Sequence, residues 1–354
     1  MTAKGKTMVS ATEIHVRRDA LHNASVITRD LVASPGELLL RIDRFALTAN
    51  NMTYAAHGVD MGYWGFFPGP DGVGIVPVWG FAEVVDGTVE GIAPGARYYG
   101  YWPMASHALM TPVRVGPRGF VDGAVHRQKL PPVYNNYVPA SAAYGAETVQ
   151  ALFRPLYTTS FVLDVMLAAS PAKTLVLTSA SSKTALGLAQ AAKGRQRVIG
   201  LTSTANRDFV IGTGYFDAVL DYADAAMLAK ETDPAALVDF SGNGSVRHAV
   251  HAALGAALIE SHIVGDTHWD AANTGALPGV APQLFFAPSV IVERVAEWGA
   301  EGFETRLASA WTGFMTSTNW LRVVEGKGAD AAVAHWRALA AGRIDPAEGI
   351  VIQI

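Results

Sequence analysis

Small hydroxyl side chains and a lysine are concentrated in one short turn, between Ser179 and Ala185. The turn follows an apolar segment, Thr174–Thr178, and precedes an alanine-rich segment, Ala185–Lys193, that favours a helix. The first amide groups of a helix and the helix dipole attract anions, so this turn is a candidate phosphate site. The candidate ligands are Ser179, Ser181, Ser182, Lys183 and Thr184. A turn retained only for folding is the alternative, but clustered hydroxyl and cationic groups favour binding.

The elements around this turn are those of a doubly wound parallel sheet. A second apolar strand, Arg197–Leu201, follows the helix, and a third, Phe216–Leu220, follows a polar turn and another helical segment. Strands and helices in this order form one half of a dinucleotide-binding fold, whose first turn holds a pyrophosphate. Two later strands end near Ser241 and Gly265. We expect both residues to bind the cofactor, because ligands lie at the carboxyl ends of parallel strands.

The residues after the second strand predict which dinucleotide is bound. An acidic residue at this point ordinarily holds the ribose hydroxyls of NAD, and here none occurs before Asp208. Side chains that could donate to a 2′-phosphate take its place, which favours NADP(H) over NAD. These side chains are Thr202, Ser203, Asn206 and Arg207. A solvated helix cap at Thr202 or Ser203 is compatible with the same pattern.

The composition of the chain excludes several classes of function. At 354 residues, two domains are the default expectation, and a hydrophobic content of 50% is ample for packed interiors. A formal net charge of −4 provides no basic surface for nucleic acid or acidic lipid. The chain contains no cysteine, which excludes disulfides, thiolate catalysis and cysteine-ligated metals. With no signal peptide and no apolar run near ~20 residues, we expect a cytoplasmic protein that does not enter a membrane.

The two ends of the chain are expected to form a separate domain. From Thr12 to about Val138, short strands alternate with glycine and proline, which suggests a partly open barrel. Helical spacing begins near Ala142, and the final strand, from Gly349, is expected to return to the barrel. We therefore predict a barrel-like catalytic domain from residues 1–139 and 286–354, and a dinucleotide-binding domain from residues 140–285.

Six segments carry a resemblance that spans the chain. They are PGELLLRI from Pro35, FALTANNMTYAAHG from Phe45, PVWGFAEVV from Pro77 with GIAPGAR from Gly91, the unit from Lys173 to Asp221, the strand ending at Gly265, and ALAAGRIDP from Ala338. In order and spacing they resemble the medium-chain dehydrogenase/reductase superfamily, in particular its zinc-free quinone-reductase and enoyl-reductase branch. The resemblance implies an α/β fold, with a doubly wound Rossmann-type parallel sheet plus a GroES-like, partly open β-barrel catalytic domain.

The resemblance also has consequences for ligands and partners. It implies NADP(H), a small apolar carbonyl or alkene substrate, and a homodimer formed at the sheet edge near Phe285 and Phe286. The zinc-dependent branch requires a cysteine near Thr48 and Gly-His-Glu where this chain has Gly80-Phe81-Ala82, so we expect no metal. The family's A-x-x-G-x-x-G turn also differs here, because Ser182 and Ala185 stand where it has glycine.

The candidate catalytic residues follow from the same resemblance. In the resembling family, a tyrosine four residues before a glycine lies close to the reactive ring of the cofactor, and Tyr54 and Gly58 match that spacing. A phenol there can donate a proton, or hydrogen-bond an enolate-like oxygen, as hydride arrives. Asn50 and Asn51 are candidates for orienting a substrate carbonyl, and capping of a helical turn is an equal alternative. His57 is a weaker candidate, for a proton shuttle.

Other side chains give weaker signals. A set of aromatic residues could line an apolar substrate cleft between the domains, although a plain core is favoured. The set is Trp64, Phe66, Phe67, Tyr98, Tyr99, Tyr101 and Trp102. His262, His268 and Asp270 match no metal-binding template.

Together these features predict a zinc-independent, NADP(H)-dependent oxidoreductase that transfers hydride to or from an enone, quinone, enoyl ester or related carbonyl compound. Two alternatives stay open. One is a lyase that cleaves a hydroxy-ketone through an enolate, in which Tyr54 would stabilise the oxyanion. The other is a non-catalytic nucleotide-sensing module. Fold alone does not choose between them, because one fold hosts many functions.

Overall fold

The computed structural model describes residues 7–265 and 276–354 of the chain. These residues divide into two compact units. Unit 1 takes its described residues from Met1–Leu152, Arg322–Ile344 and Glu348–Ile354, and unit 2 consists of Phe153–Leu321 and Asp345–Ala347. The C-terminal return of the chain to the first unit follows the prediction, while the boundaries differ from the predicted ones.

Unit 1 begins with short strands and one short helix. In chain order they are β1 (Met8–Arg17), β2 (Ala20–Val32), β3 (Leu38–Leu47), α1 (Ala49–Ala56), β4 (Val73–Gly74), β5 (Pro77–Gly87), β6 (Arg97–Pro103), β7 (His107–Met110), β8 (Pro112–Gly116), β9 (Gly119–Asp122) and β10 (Asn136–Pro139). Glycine and proline interrupt the strands, as the sequence predicts.

Strands and helices alternate in unit 2, and the first of these helices begins in the last residues of Met1–Leu152. They are α2 (Glu147–Ala168), β11 (Thr174–Leu177), α3 (Lys183–Ala192), β12 (Arg197–Thr202), α4 (Thr204–Thr213), β13 (Ala218–Asp221), β14 (Ala235–Asp239), α5 (Gly244–Leu254), β15 (Leu258–Ile263), β16 (Gln283–Leu284) and α6 (Ala287–Met315). The chain then returns to unit 1 with β17 (Arg322–Lys327), α7 (Gly328–Ala340) and β18 (Glu348–Gln353).

The strands of unit 1 form a mainly antiparallel structure. In the larger sheet the order is β17-β18-β3-β5-β6-β10-β9-β8, with β7 also paired to β3, and a smaller sheet has the order β2-β1-β4. Strand β18 runs antiparallel to β3, with Ile350 opposite Leu47, so the predicted return of the last strand is confirmed. Strand β6 is buried along almost its whole length, which places its aromatic side chains in the core. The predicted barrel-like domain is therefore present.

The core of unit 2 is a parallel sheet. Within the described residues its strand order is β13-β12-β11-β14-β15-β16. Strands β11 and β14 are buried at every residue, as expected for parallel strands that are covered on both faces. This order is that of the doubly wound dinucleotide-binding sheet, in which the direction of winding reverses between the first and fourth strands. Here that switch point lies between β11 and β14.

Helices α2 and α6 pack against each other in unit 2. The Tyr157 hydroxyl donates to the carbonyl oxygen of Ala310 at 2.8 Å, and the rings of Tyr157 and Phe314 stack with centroids 4.7 Å apart. Residues 287–315 therefore group with the parallel sheet, whereas the sequence pattern assigns them to the barrel. The hydrogen-bonded pair is 153 positions apart in the chain, and local periodicity carries no information about such a contact.

Helix α2 is long and apolar enough to cross a membrane, by length and composition only. Buried core helices of soluble proteins meet the same two criteria. Its apolar side chains lie in the interior, where Phe153, Val162 and Leu163 are fully buried. On its other face, Asp164 forms an ion pair with Arg195. These contacts are those of a helix that packs against a protein core.

A buried ion pair fixes the aromatic interior of unit 1. Arg127 and Asp122 are 2% and 3% exposed, and Arg127 Nη1 lies 2.8 Å from Asp122 Oδ2. The same guanidinium donates to the carbonyl oxygen of Phe66 at 3.1 Å and to the Tyr137 hydroxyl at 2.8 Å. The Tyr137 hydroxyl in turn donates to the carbonyl oxygen of Tyr101 at 2.6 Å. One cation thus joins β6, β9, β10 and the segment before β4.

We predict that Arg127→Ala lowers the free energy of unfolding by about 3–5 kcal/mol, because it leaves the Asp122 carboxylate buried without its cation. Urea unfolding measures the loss. Arg118→Ala, which removes an exposed arginine from the same region, should change stability by no more than about 0.5 kcal/mol. A loss below about 1 kcal/mol for Arg127→Ala would contradict the role assigned to this ion pair.

Candidate functional site

The turn after β11 has an unusual backbone conformation at its first residue. Ser179 has a φ of 47°, in the left-handed region that residues with a side chain seldom adopt. Its amide donates to the Tyr222 hydroxyl at 3.1 Å, and the amide of Ser182 donates to its carbonyl oxygen at 2.8 Å. The neighbouring amide of Ala180 donates to the carbonyl oxygen of Leu201 at 3.0 Å. Hydrogen bonds on both sides therefore hold the strained residue in place.

Helix α3 begins at the predicted phosphate turn. Ser182 is its N-cap residue, and the Ser182 hydroxyl accepts a hydrogen bond from the amide of Ala185 at 3.3 Å. On the α2 side, the Ser160 hydroxyl donates to the carbonyl oxygen of Thr184 at 2.7 Å. This approach needs a glycine at 187, since a Cβ there would lie 2.7 Å from the Ser160 hydroxyl oxygen. The start of α3 is therefore fixed by both its cap and its neighbour.

The polar side chains of the turn remain partly accessible. Ser181, Ser182, Lys183 and Thr184 are all half-buried, so a ligand can reach them. The Lys183 ammonium also donates to the carbonyl oxygen of Pro346 at 3.3 Å. The side-chain amide of Asn206 donates to the Ser181 hydroxyl at 3.1 Å. The two predicted groups of cofactor ligands, in the turn before α3 and on α4, therefore meet at this hydrogen bond.

The other residues after β12 differ in their exposure. Thr202 is 1% exposed and lies within the sheet, whereas Ser203 is half-buried as the N-cap residue of α4. The side chain of Arg207 is 48% exposed, and its Nε lies 3.7 Å from Asp221 Oδ1. The Thr204 hydroxyl donates to the other oxygen of Asp221 at 3.0 Å. Arg207 is thus an accessible cation at this end of the sheet, in addition to Lys183.

Asp221 is a residue of this region that sequence analysis missed. It ends β13, where it is paired in register with Thr202 at the end of β12. The local pattern after β12 contains no acid before Asp208, but the sheet supplies one from the next strand. Parallel strands end side by side, so the alignment of the predicted strands was the signal that could have found it.

Buried hydrogen bonds join the ends of β11 and β14. The Asp239 carboxylate is fully buried, and Asp239 Oδ1 accepts hydrogen bonds from the Thr178 hydroxyl at 2.5 Å and the Ser241 hydroxyl at 2.7 Å. Arg247 Nη1 from α5 donates to Asp239 Oδ2 at 2.8 Å. Ser241 is itself fully buried, so the geometry assigns it to the support of this turn. Gly265 lies alongside, and its amide is 3.4 Å from the Asp239 carbonyl oxygen.

Tyr222 is a second residue that sequence spacing did not place in the site. Its hydroxyl accepts the Ser179 amide, and burial raises the pKa of the Tyr222 phenol to about 12. The phenol is therefore neutral at physiological pH. A tyrosine at the end of one strand thus stabilises the strained turn at the end of another.

In unit 1, Tyr54 lies in the interior at the middle of α1. It is 4% exposed, and its oxygen accepts hydrogen bonds from Asn50 Nδ2 at 2.7 Å and Trp79 Nε1 at 3.0 Å. A further hydrogen bond joins the phenols of Tyr54 and Tyr134. Burial, followed by the nearby Tyr63, raises the pKa of Tyr54 well above its ordinary value. Tyr54 is therefore a neutral phenol that holds its proton.

The two asparagines before Tyr54 have different roles in the structure. Asn51 Oδ1 accepts the backbone amide of Thr48 at 2.8 Å, and Asn51 Nδ2 donates to the carbonyl oxygen of Pro77 at 2.9 Å. The capping alternative therefore describes Asn51, which is 2% exposed. Asn50 instead donates to the phenol of Tyr54, one helical turn further on. His57 is the C-cap residue of the same helix.

The aromatic residues considered for a substrate cleft form part of the core of unit 1. Each of the seven is buried, at 9% exposure or less. Tyr101 packs against Tyr54 with ring centroids 5.3 Å apart and against Tyr134 at 4.7 Å. Within the described residues, the Tyr101 hydroxyl has no hydrogen-bond partner. The favoured alternative of a plain core is consistent with this burial.

The histidine pattern near the end of β15 does not form a metal centre in the described residues. His262 Nε2 lies 3.1 Å from Glu260 Oε2, while His268 and Asp270 fall outside the described residues. Among residues 7–265 and 276–354, no group of three or more histidine, aspartate or glutamate side chains is placed to hold a metal ion.

A family match covers most of the chain, including both candidate sites. Residues 45–345 match the family described as "Protein of unknown function (DUF2855)". The chain belongs to this family. None of the curated proteins matches the chain.

Solved structures similar to this DUF2855 chain establish its wider fold. CurA from Vibrio vulnificus in complex with NADPH is 17% identical, with a TM-score of 0.62 over 99% of each chain. A putative NADPH:quinone reductase from Mesorhizobium loti is 13% identical, with a TM-score of 0.60 over 100% of both chains. A mutant form of enoyl thioester reductase from Candida tropicalis is 11% identical, with a TM-score of 0.59 over 98% of this chain and 100% of that chain. The medium-chain dehydrogenase/reductase fold expected from the sequence is confirmed.

We predict that Ser179→Val lowers the free energy of unfolding by about 1–3 kcal/mol, because a β-branched residue is strained at positive φ. Ser179→Gly is the matched control, since it removes the same hydroxyl but adopts this φ without strain. Its stability should stay within about 1 kcal/mol of the unmodified protein. Thermal and urea unfolding measure both variants, and equal losses would show that the hydroxyl, not the backbone conformation, is what matters.

Proposed function

We propose that this protein is a zinc-independent oxidoreductase that uses NADP(H) to transfer hydride to or from an enone, quinone, enoyl ester or related carbonyl compound. The observation that carries the proposal is the accessible polar turn at the start of α3, beside the switch point of a doubly wound sheet. The similar CurA structure contains NADPH, which supports the same cofactor here.

The residues at the carboxyl ends of β11 and β12 fit a phosphorylated dinucleotide. Half-buried hydroxyls of Ser181 and Ser182 and the cation of Lys183 lie at a helix N-terminus, where an anion is favoured. Arg207 is accessible at the end of the next strand, where a 2′-phosphate would distinguish NADP from NAD. Asp221 partly offsets this charge, and a bound phosphate would compete with it for the guanidinium.

A bound reduced nicotinamide supplies hydride to an electrophilic carbon of the substrate. The protein must then provide a proton, or a hydrogen bond, to the oxygen or carbon that gains negative charge. Tyr54 suits this role because it is protonated at physiological pH and two N–H groups already donate to its oxygen. In this proposal Asn51 holds the start of α1, and Asn50 orients Tyr54.

The proposal includes a homodimer formed through the edge of the parallel sheet. Strand β16 is the last strand in the described sheet, and Leu284 is 68% exposed on it. An exposed apolar side chain on an open edge strand is suited to pairing with a second copy. Phe285 is buried next to it and would support that edge rather than contact a partner.

We predict that NADPH raises the melting temperature, because a ligand that binds only the native state stabilises it. Arg207→Ala should weaken NADPH binding by about 10- to 100-fold through the loss of a charge-assisted hydrogen bond, while NADH binding changes little. Titration of the cofactor fluorescence measures both constants.

Arg197→Ala is the matched control for this experiment. Arg197 lies at the opposite end of β12 and also pairs with a carboxylate, that of Glu231. It should leave the binding of both cofactors unchanged. Equal losses for NADPH and NADH in Arg207→Ala would refute the 2′-phosphate assignment. No thermal shift at millimolar dinucleotide would refute cofactor binding and favour a non-redox function.

We predict that Tyr54→Phe lowers kcat for the NADPH-dependent reduction of an enone by about 10²- to 10⁴-fold, the usual contribution of a general acid. Cofactor binding should not change. Tyr101→Phe is the control, because it removes a neighbouring buried hydroxyl that has no hydrogen-bond partner among the described residues. A Tyr54→Phe variant that keeps full turnover would contradict the assignment of Tyr54 as proton donor.

A further inference from the structure

The oxygen of Tyr54 is surrounded by hydrogen-bond donors. Asn50 Nδ2 lies 2.7 Å from it and Trp79 Nε1 lies 3.0 Å from it. Neither group can act as an acceptor: an indole N–H only donates, and so does the NH₂ end of an amide. Both lone pairs of the phenol oxygen are therefore used, and its own O–H must point elsewhere.

The O–H proton of Tyr54 takes no part in the hydrogen bonds from Asn50 and Trp79. The hydrogen bond with Tyr134 lowers the pKa of Tyr54 and raises the pKa of Tyr134, so the Tyr134 hydroxyl donates and the Tyr54 oxygen accepts. Burial raises the pKa of Tyr54, whereas the hydrogen bonds from Trp79 and Asn50 lower it. The two donors thus act on the charged form of the residue.

Both donors are held rigidly. Trp79 stacks on Tyr99, with ring centroids 5.5 Å apart and planes 19° apart. Asn50 lies in the first turn of α1, whose start is fixed by the reciprocal hydrogen bonds of Thr48 and Asn51. Donors that are already in place need no reorganisation when charge develops, which is the condition for strong electrostatic stabilisation.

We propose that Trp79 and Asn50 are positioning residues that form a two-donor cradle for the Tyr54 phenolate. This inference rests on the proposed function. Hydride addition to the β-carbon of an enone leaves an enolate; the Tyr54 O–H bond then breaks, its electron pair stays on oxygen, and its proton passes to the enolate. The phenolate is held by the two N–H groups until it takes a proton from water after the product leaves.

The test places a fluorinated tyrosine at position 54 and follows its ionisation by ¹⁹F NMR, with no cofactor or substrate present. Trp79→Phe and Asn50→Leu remove one donor each and keep an aromatic or similarly sized side chain. Each variant should raise the pKa of this phenol by about one unit, a tenfold change in its ionisation constant. Tyr101→Phe should leave it unchanged, because that hydroxyl makes no hydrogen bond to Tyr54.

Asn50 and Trp79 lie on separate elements, so one variant still tests the cradle if the other does not fold. Cooperative thermal unfolding shows whether each variant is folded. Unchanged values in both variants would overturn the cradle. Raised values in a protein that shows no NADPH-dependent thermal shift would instead overturn its role in hydride transfer, so the two failures are distinguishable.

Discussion

The Asp239 carboxylate is fully buried, and the switch point of the parallel sheet is built around the need to satisfy it. A buried carboxylate is costly unless it is paired and hydrogen-bonded. Thr178 from β11, Ser241 from the following turn and Arg247 from α5 meet this requirement together. The ends of β11 and β14 are therefore held together by a carboxylate in the interior of unit 2.

The atypical turn after β11 is likewise held in place by hydrogen bonds from neighbouring elements. Glycines usually supply the conformational freedom that such a turn needs. Here the positive φ is carried by Ser179, and Tyr222 and the carbonyl oxygen of Leu201 hold the residues at that point. Gly187 provides the close approach of α3 to α2 from a position further along the helix. Neighbouring contacts thus hold the geometry of the turn, and its accessible side chains are hydroxyls and a cation.

In unit 1, a similar constraint acts on phenols. Tyr54, Tyr101 and Tyr134 are almost fully buried, and their rings supply apolar area. Their hydroxyls must then be satisfied by a few donors and acceptors, with Trp79 and Asn50 directed at Tyr54. The hydroxyl of Tyr101 is the exception among the described residues. Tyr54 thus differs from the other tyrosines of this aromatic core, because two N–H groups donate to its oxygen.

The sequence by itself determined the order of strands and helices, the doubly wound sheet, the barrel-like first unit and the return of the last strand. These follow from hydrophobic periodicity and from glycine and proline positions, which act over a few residues. Tertiary structure alone decided that Asp221 lies beside Arg207, that Tyr222 supports Ser179, and that Trp79 donates to Tyr54. It also placed α6 with the parallel sheet. Each of these depends on side chains from different elements meeting in space, and the spacing of residues along one element does not contain that information.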